Sequence, residues 1–220
     1  MENEIAQKKV YLISGLGADS RLFKYQYQLD YDFHKIEWIR AKRGESLAAY
    51  AKRLSAGIDE SEPYSIVGCS MGGIIAIEMR KFLNPEKVVL ISSLKTKHEK
   101  SWMSKFANTF KLYYLLSGYV FKWASIWRRM FFGKLEAEEE KLFDSMLRDS
   151  DPFFMKWGLH RIITWDNEEE FSNVVHIHGD EDSVFPIGNI KNSIQIAKGS
   201  HLMIITQAEE VNVHLAEALG

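Results

Sequence analysis

A sharp turn from strand to helix is predicted at Gly68-Cys69-Ser70-Met71-Gly72, which follows a β-branched run, Tyr64 to Val67, and opens a strongly apolar helical run. Such a turn brings the two backbones close together, so the side chains that flank the serine must be nearly absent. Gly68, Gly72 and Gly73 meet this requirement because glycine lacks a Cβ. The serine hydroxyl is then held out above the edge of a sheet. The alternative interpretation is an ordinary small-residue turn that contains a serine by coincidence.

Two later loops contain acidic and basic side chains that could act on this serine. The run Asn173 to His178 is typical of a buried strand, and it ends at a loop with a glycine, three carboxylates and a proline, Gly179 to Pro186. A second short run, Ser193 to Ala197, ends at Lys198-Gly199-Ser200-His201, just before a C-terminal helical pattern. The order along the chain is therefore serine, acid, histidine.

These residue types belong together chemically. A serine hydroxyl is a weak nucleophile at neutral pH, so a neutral imidazole has to take its proton, and a carboxylate has to orient that imidazole and stabilise its charged form. Ser70 and His201 supply the hydroxyl and the imidazole, and we expect Asp182 to supply the carboxylate. Asp180 and Glu181 in the same loop remain alternatives for the acid.

Three segments resemble the α/β-hydrolase family: GCSMGG around Ser70, HGDEDSVFP before and after Asp182, and GSHLM around His201. The resemblance covers most of the chain in the order of its elements, although only these short motifs are specific. In family members the acid usually stands three residues after the glycine that closes its strand, which implies Asp182 here. A turn cap for Asp182 and a local hydrogen bond for His201 are the non-catalytic alternatives.

A tetrahedral intermediate also requires N–H donors aimed at its negative oxygen. The N–H of Met71 is expected to serve, since this residue follows the nucleophile at the positive end of a helix. The resemblance implies the N–H of Leu16 as the second donor, in the loop after the predicted strand Lys9 to Ser14. Here the chain departs from the family, because Ser14 stands where many members have histidine.

Two cofactor interpretations compete with this one. The turn Gly15-Leu16-Gly17 follows a strand and has Glu37 about twenty residues later, as in a dinucleotide-binding loop, but the third glycine is missing. His176 and His178 alternate on one strand, as two metal ligands could, but no third ligand is evident. We therefore expect neither a cofactor nor a metal.

Composition narrows the classes of function. At 220 residues and 46% hydrophobic, the chain is long enough for one buried core and too short for two ordinary domains. A formal charge of −2 gives no whole-molecule attraction to nucleic acid. Cys69 is the single cysteine, so an intramolecular disulfide framework is excluded. The polar segment Met1 to Lys9 has no apolar core of signal-peptide length, and cytoplasmic residence is the default expectation.

Strands alternate with helices along the chain, which predicts an α/β fold with a mainly parallel sheet of about six strands and helices on both faces. Relative to the α/β-hydrolase family, the first antiparallel hairpin is absent. Ser46 is predicted to cap the helix that begins at Leu47, and Asp151-Pro152 to open another helix through about Trp165. The other predicted strands are His34 to Ile39, Tyr64 to Val67, Lys87 to Ile91 and Val174 to His178.

The long break between the fourth and fifth strands is predicted to be a helical cap insertion, residues 94–173, in a core of residues 1–93 and 174–220. Residues 95–134 contain nine Lys or Arg against one acidic residue, together with eleven aromatic residues. This composition suits an apolar pocket roof with a basic rim, which could also contact an anionic membrane surface. The alternative is that the aromatic residues form the insertion's own core and the basic residues its solvated face.

These observations predict a serine hydrolase that cleaves a small-molecule carboxylic ester or thioester with an apolar acyl or alkyl group, through an acyl-serine intermediate. The same constellation could serve an acyltransferase, a carbon–carbon bond hydrolase or a cofactor-free peroxidase. A catalytically silent protein that binds a ligand in a capped cavity is the alternative from a different class. Oligomeric state is not indicated by any motif.

Overall fold

A computed structural model describes residues 7–101 and 135–220, which form a sheet of six strands with helices on both faces. Neighbouring strands are all parallel, in the order β2-β1-β3-β4-β5-β6. The strands are β1 Lys9–Ile13, β2 Asp32–Ile36, β3 Tyr64–Cys69, β4 Val88–Ile91, β5 Val174–Gly179 and β6 Ile194–Ile196. The predicted fold class is therefore confirmed.

Six α-helices lie in the described residues, and short 3-10 helices occur in several of the loops between elements. The helices are α1 Leu47–Leu54, α2 Met71–Arg80, α3 Ala137–Asp149, α4 Pro152–Thr164, α5 Met203–Thr206 and α6 Ala208–Leu219. Two predicted caps are confirmed. The Ser46 hydroxyl accepts from the N–H of Ala49 at 3.1 Å, and the Asp151 carboxylate accepts from Phe153 at 3.0 Å with Pro152 as the first helical residue.

Both faces of the sheet are buried, as expected for parallel strands that read as continuous apolar runs. Alternate residues of a strand enter different cores. In β3, Ile66 packs in the cluster that includes α1, α2 and α4, while Val67 packs on the opposite face with residues of α3, α5 and α6. The central strands are thus held on two sides, and their carboxyl ends form a rigid edge.

The strand order changes direction between β1 and β3. The chain passes from β1 to β2 on one side, then crosses to β3 on the other side of β1. Loops that leave the carboxyl ends of two such strands diverge and leave a crevice, where α/β proteins bind their ligands. The loop after β1 and the turn after β3 begin at this crevice.

The prediction for the second strand was wrong in its bounds, because β2 begins at Asp32 and ends at Ile36 rather than running from His34 to Ile39. The backbone of Ile39 hydrogen-bonds to the side chain of Tyr50 and not to a neighbouring strand. Its N–H donates to the Tyr50 hydroxyl at 3.2 Å, and its carbonyl accepts from that hydroxyl at 2.8 Å. The bounds of the other strands differ from the predictions by one or two residues at an end.

The described part of the predicted insertion contains α3 and α4, and no strand occurs in residues 94–101 or 135–173. Helix α4 packs on the core through Phe154 and Trp157, whose rings lie 5.9 and 4.6 Å from the ring of Tyr50. The aromatic and basic residues of the proposed roof from Trp102 onward lie outside the described residues, so the extent of a cap stays a prediction. Within the described ranges no helix is both long and apolar enough to cross a bilayer.

We predict that Gly72→Ala lowers the free energy of unfolding by about 2 kcal/mol or more, as overpacking does. A Cβ at this position would collide with the backbone carbonyl oxygens of Ile13 and Ser14, which cannot rotate away. Gly188→Ala is the control, since nothing lies within 4 Å of a Cβ added there. Urea unfolding followed by circular dichroism measures both. Equal midpoints for the two variants would contradict the close approach of α2 and β1.

Candidate active site

Ser70 lies at the turn between β3 and α2 in a strained backbone conformation, with φ 52° and ψ −118°. A non-glycine residue in such a region costs about 1–3 kcal/mol, and it persists only where neighbours hold it. The N–H of Ser70 donates to the Ile91 carbonyl at 2.9 Å, and its own carbonyl accepts from the Ser93 hydroxyl at 2.6 Å. These bonds hold the hydroxyl of Ser70 out above the sheet.

Three side chains from distant parts of the chain meet in one hydrogen-bonded line. The Nε2 atom of His201 lies 3.0 Å from the Ser70 Oγ, and its Nδ1 atom lies 2.8 Å from the Asp182 Oδ2. A carboxylate only accepts, so Nδ1 carries the proton and the lone pair of Nε2 faces the hydroxyl. His201 is thereby in the tautomer that can take a proton from Ser70.

The carboxylate of Asp182 is buried, 3% exposed, and its second oxygen is also bonded. Oδ1 accepts from the backbone N–H groups of Val184 and Phe185, each at 2.8 Å. Burial is the largest single influence and would raise the pKa of Asp182, but the nearby imidazoles of His201 and His178 and the N–H of Phe185 together leave its pKa below the usual value. Asp182 is therefore ionised at neutral pH.

The two alternative acids lie elsewhere in the same loop. Asp180 and Glu181 are exposed, and their backbone N–H groups donate to the carbonyls of Ile196 and Gly199. The carboxylate that contacts His201 is that of Asp182. In the turn after β5, the side chains of Asp180 and Glu181 thus point to solvent, and that of Asp182 points to His201.

The two expected N–H donors lie beside Ser70. Met71 is the first residue of α2, and Leu16 is in the loop after β1; neither N–H donates to another described residue. The loop passes close to the serine, because a Cβ added at Gly15 would lie 3.3 Å from the Ser70 Cβ. The side chains of Leu16 and Met71 both approach Gly158 of α4. These two amides therefore belong to the segments that meet at Ser70, where apolar side chains pack against α4.

Comparisons with known proteins agree with this architecture. No protein-family model and no curated protein sequence match the chain. Among solved structures, an esterase from Exiguobacterium antarcticum has a TM-score of 0.77 at 16% identity, over 97% of this chain and 92% of its own. A hydrolase from Oleispira antarctica has a TM-score of 0.75 at 15% identity, over 97% and 91%. A putative non-heme bromoperoxidase from Mycobacterium tuberculosis has a TM-score of 0.69 at 18% identity, over 96% and 91%.

The chain has the α/β-hydrolase fold. In this fold the nucleophile turn, the acid loop and the histidine loop all start at carboxyl ends of strands. Ser70, Asp182 and His201 follow the carboxyl ends of β3, β5 and β6, which lie on the same edge because the strands are parallel. The sheet therefore explains why residues 131 positions apart, Ser70 and His201, are in contact.

Ser14 has a structural task in this version of the α/β-hydrolase fold. Its hydroxyl donates to the Ala18 carbonyl at 3.0 Å, and the indole of Trp38 donates to the same oxygen at 2.9 Å. The loop that contains Leu16 is held by these two bonds.

A dinucleotide-binding loop would be followed by an α-helix. The loop Gly15-Leu16-Gly17 is followed instead by the short 3-10 helix Ser20–Phe23, so the dinucleotide interpretation loses its support.

His176 and His178, the two candidate metal ligands, are hydrogen-bonded to each other. The Nδ1 of His178 lies 3.1 Å from the Nε2 of His176, and its Nε2 lies 2.8 Å from the Phe185 carbonyl oxygen. In the part of the chain that the structure describes, no group of three or more His, Cys, Asp or Glu residues is arranged to hold a metal ion. No role for Phe185 was predicted from the sequence, although an aspartate often closes the turn that follows it by bonding to backbone N–H groups, as Asp182 does to Val184 and Phe185.

A cavity of about 350 Å³ lies where the loops after β1 and β2 meet the junction of α3 and α4. Its apolar walls include Trp38, Met146 and Phe154, whereas Ser70 and His201 are not among its lining residues. The cavity lies away from the hydrogen-bonded line.

Cys69, next to the serine, is predicted to be inert in the folded protein. Burial, together with the negative charge of Asp182, raises the pKa of its thiol to about 12, and the thiolate is the reactive form. We expect no reaction with Ellman's reagent at pH 8 in the native state and one thiol per chain in guanidinium chloride. Rapid reaction of one thiol in the native state would contradict this burial and would make Cys69 a competing nucleophile.

Proposed function

We propose that this protein is a serine hydrolase that cleaves a carboxylic ester or thioester through an acyl-Ser70 intermediate. The observation that carries the proposal is the hydrogen-bonded line from Asp182 through His201 to Ser70, with contacts of 2.8 and 3.0 Å. A serine, a histidine in the correct tautomer and an ionised carboxylate are the components of nucleophilic acyl transfer.

In the first half-reaction, the Ser70 oxygen attacks the carbonyl carbon while Nε2 of His201 takes the hydroxyl proton. The carbonyl oxygen becomes negative and accepts from the N–H groups of Met71 and Leu16. Each such donor stabilises the transition state by about 3 kcal/mol. Collapse of the intermediate breaks the bond to the leaving alcohol or thiol, which receives the proton from His201, and the acyl group stays on Ser70.

In the second half-reaction, water attacks the acyl carbon and His201 takes its proton. A second tetrahedral intermediate forms at the same N–H groups, and its collapse releases the acid and returns the proton to Ser70. Asp182 keeps its negative charge throughout and stabilises the imidazolium of His201 in both halves. The depressed pKa of Asp182 supports this role, since a protonated acid could not do so.

The proposed substrate has an apolar acyl or alkyl group. The side chains of Leu16 and Met71 pack against Gly158 of α4 next to Ser70, and α4 is itself largely apolar. The similar structures include esterases and hydrolases, which supports the same class of reaction. Contact with an anionic membrane surface through residues 95–134 remains a proposal from composition.

Covalent labelling tests the nucleophile. We expect a fluorophosphonate probe to label the wild-type protein and the Ser61→Ala variant equally, because Ser61 is an exposed turn residue. Ser70→Ala should not be labelled, since the attacking oxygen is removed. Mass spectrometry of the labelled peptide identifies the site. A folded wild-type protein that takes up no probe would overturn the proposed function.

Hydrolysis of nitrophenyl acetate and nitrophenyl butanoate tests the acid. We expect Asp182→Asn to lower kcat by roughly 10⁴-fold, the size of effect known for serine proteases, because the amide favours the wrong tautomer of His201. Asp180→Asn is the matched control, since it changes an exposed carboxylate two residues away and should alter kcat by less than about 2-fold. The reverse ranking of the two variants would assign the acid to Asp180.

A further inference from the structure

His178 is a buried residue of β5 that takes no part in the reaction proposed above. Its side chain is fully buried, and its Nε2 atom lies 2.8 Å from the Phe185 carbonyl oxygen and 3.5 Å from the Asp182 Oδ2. It therefore lies beneath the turn that carries the acid, on the side away from solvent.

Hydrogen-bond partners define the proton positions of His178. A carbonyl oxygen only accepts, so Nε2 of His178 carries a proton and points it at Phe185. Burial, the largest influence, lowers the pKa of His178, so the ring is neutral and its Nδ1 accepts from the Nε2–H of His176. Burial is likewise the largest cause that lowers the pKa of His176, and His178 and Lys95 lower it further against a backbone hydrogen bond with Ser93 that raises it. The chain of donors therefore runs in one direction, from His176 through His178 to the turn.

Phe185 connects this chain to both catalytic partners of the serine. Its carbonyl accepts from His178, its N–H donates to the Asp182 Oδ1 at 2.8 Å, and the edge of its ring meets the His201 ring at 5.3 Å between centroids. A displacement of this one residue would move the acid and the base together. The Nε2–H of His178 opposes such a displacement.

We propose that His178 is a positioning residue whose Nε2–H holds the Asp182–Phe185 turn in the shape that presents the carboxylate to His201. The inference rests on the proposed function, because it needs a reactive Ser70 for its readout. The residue acts through Phe185 and touches no reacting atom. A misplacement of about 1 Å in a catalytic group can reduce a rate by about 100-fold, so the effect is measurable.

The test compares His178→Leu with His178→Gln. Leucine removes the donor at similar size, whereas the glutamine amide can place an N–H where Nε2 lies and so restore the bond to Phe185. We expect the rate constant for fluorophosphonate labelling to fall about 10- to 100-fold in His178→Leu and to stay within about 3-fold of wild type in His178→Gln. His34→Leu, at a partly exposed histidine of β2, should label at the wild-type rate.

A spectroscopic readout separates positioning from general destabilisation. The proton between His201 and Asp182 should give a low-field proton NMR resonance in wild type and His178→Gln. The resonance should be shifted or lost in His178→Leu under conditions where circular dichroism shows a folded protein. Equal labelling rates and an unchanged resonance in His178→Leu would overturn the inference while leaving the proposed function intact. If the probe failed to label the wild-type protein, that result would instead contradict the proposed function.

A further test uses the wild-type protein and therefore does not require any variant to fold. In a sample with ¹⁵N-labelled histidine, two-bond nitrogen–proton correlations distinguish the two tautomers of a neutral ring. We expect His178 at pH 7 to be neutral with its proton on Nε2. A proton on Nδ1 alone, or a charged ring, would show that Nε2 does not donate to Phe185 as the proposal requires and would overturn it.

Discussion

The close approach of three backbones around Gly68, Gly72 and Gly73 is the constraint on which the site depends. A Cβ at Gly68 would lie 2.5 Å from the Gly72 carbonyl oxygen, and one at Gly72 would collide with the end of β1. Because all three side chains are absent, α2 can begin directly after β3 and pass against β1. The strained backbone of Ser70, the place of Met71 at the first position of α2 and the nearness of the Leu16 loop all follow from this contact.

Local patterns explain why much of the architecture could be predicted from the sequence. The turn around Ser70, the cap at Ser46 and the alternation of strands and helices depend on neighbours within a few residues. The meeting of Ser70, Asp182 and His201 is a longer-range result, but it follows from one rule: parallel strands bring their carboxyl ends to one edge. The resemblance to the α/β-hydrolase family then reduced three acidic candidates to the one that contacts His201.

Contacts between residues distant in sequence could not be predicted in the same way. The end of β2 depends on the Tyr50 hydroxyl, which bonds both backbone groups of Ile39 from a helix eleven residues later. The bond from His178 to Phe185 depends on how the acid turn folds back over its own strand. Neither leaves a periodic signal, because each involves one side chain and the backbone of one other residue.

The separation of the site residues along the chain has a consequence for how the protein acquires its structure. Ser70 and His201 are 131 residues apart, and an all-parallel sheet has no hairpins that could assemble early from adjacent segments. Proteins with such non-local pairings have high contact order and reach the native state slowly. During synthesis the turn at Ser70 therefore emerges from the ribosome long before His201, and the nascent chain passes through this interval with its strands incompletely paired and without the hydrogen-bonded line.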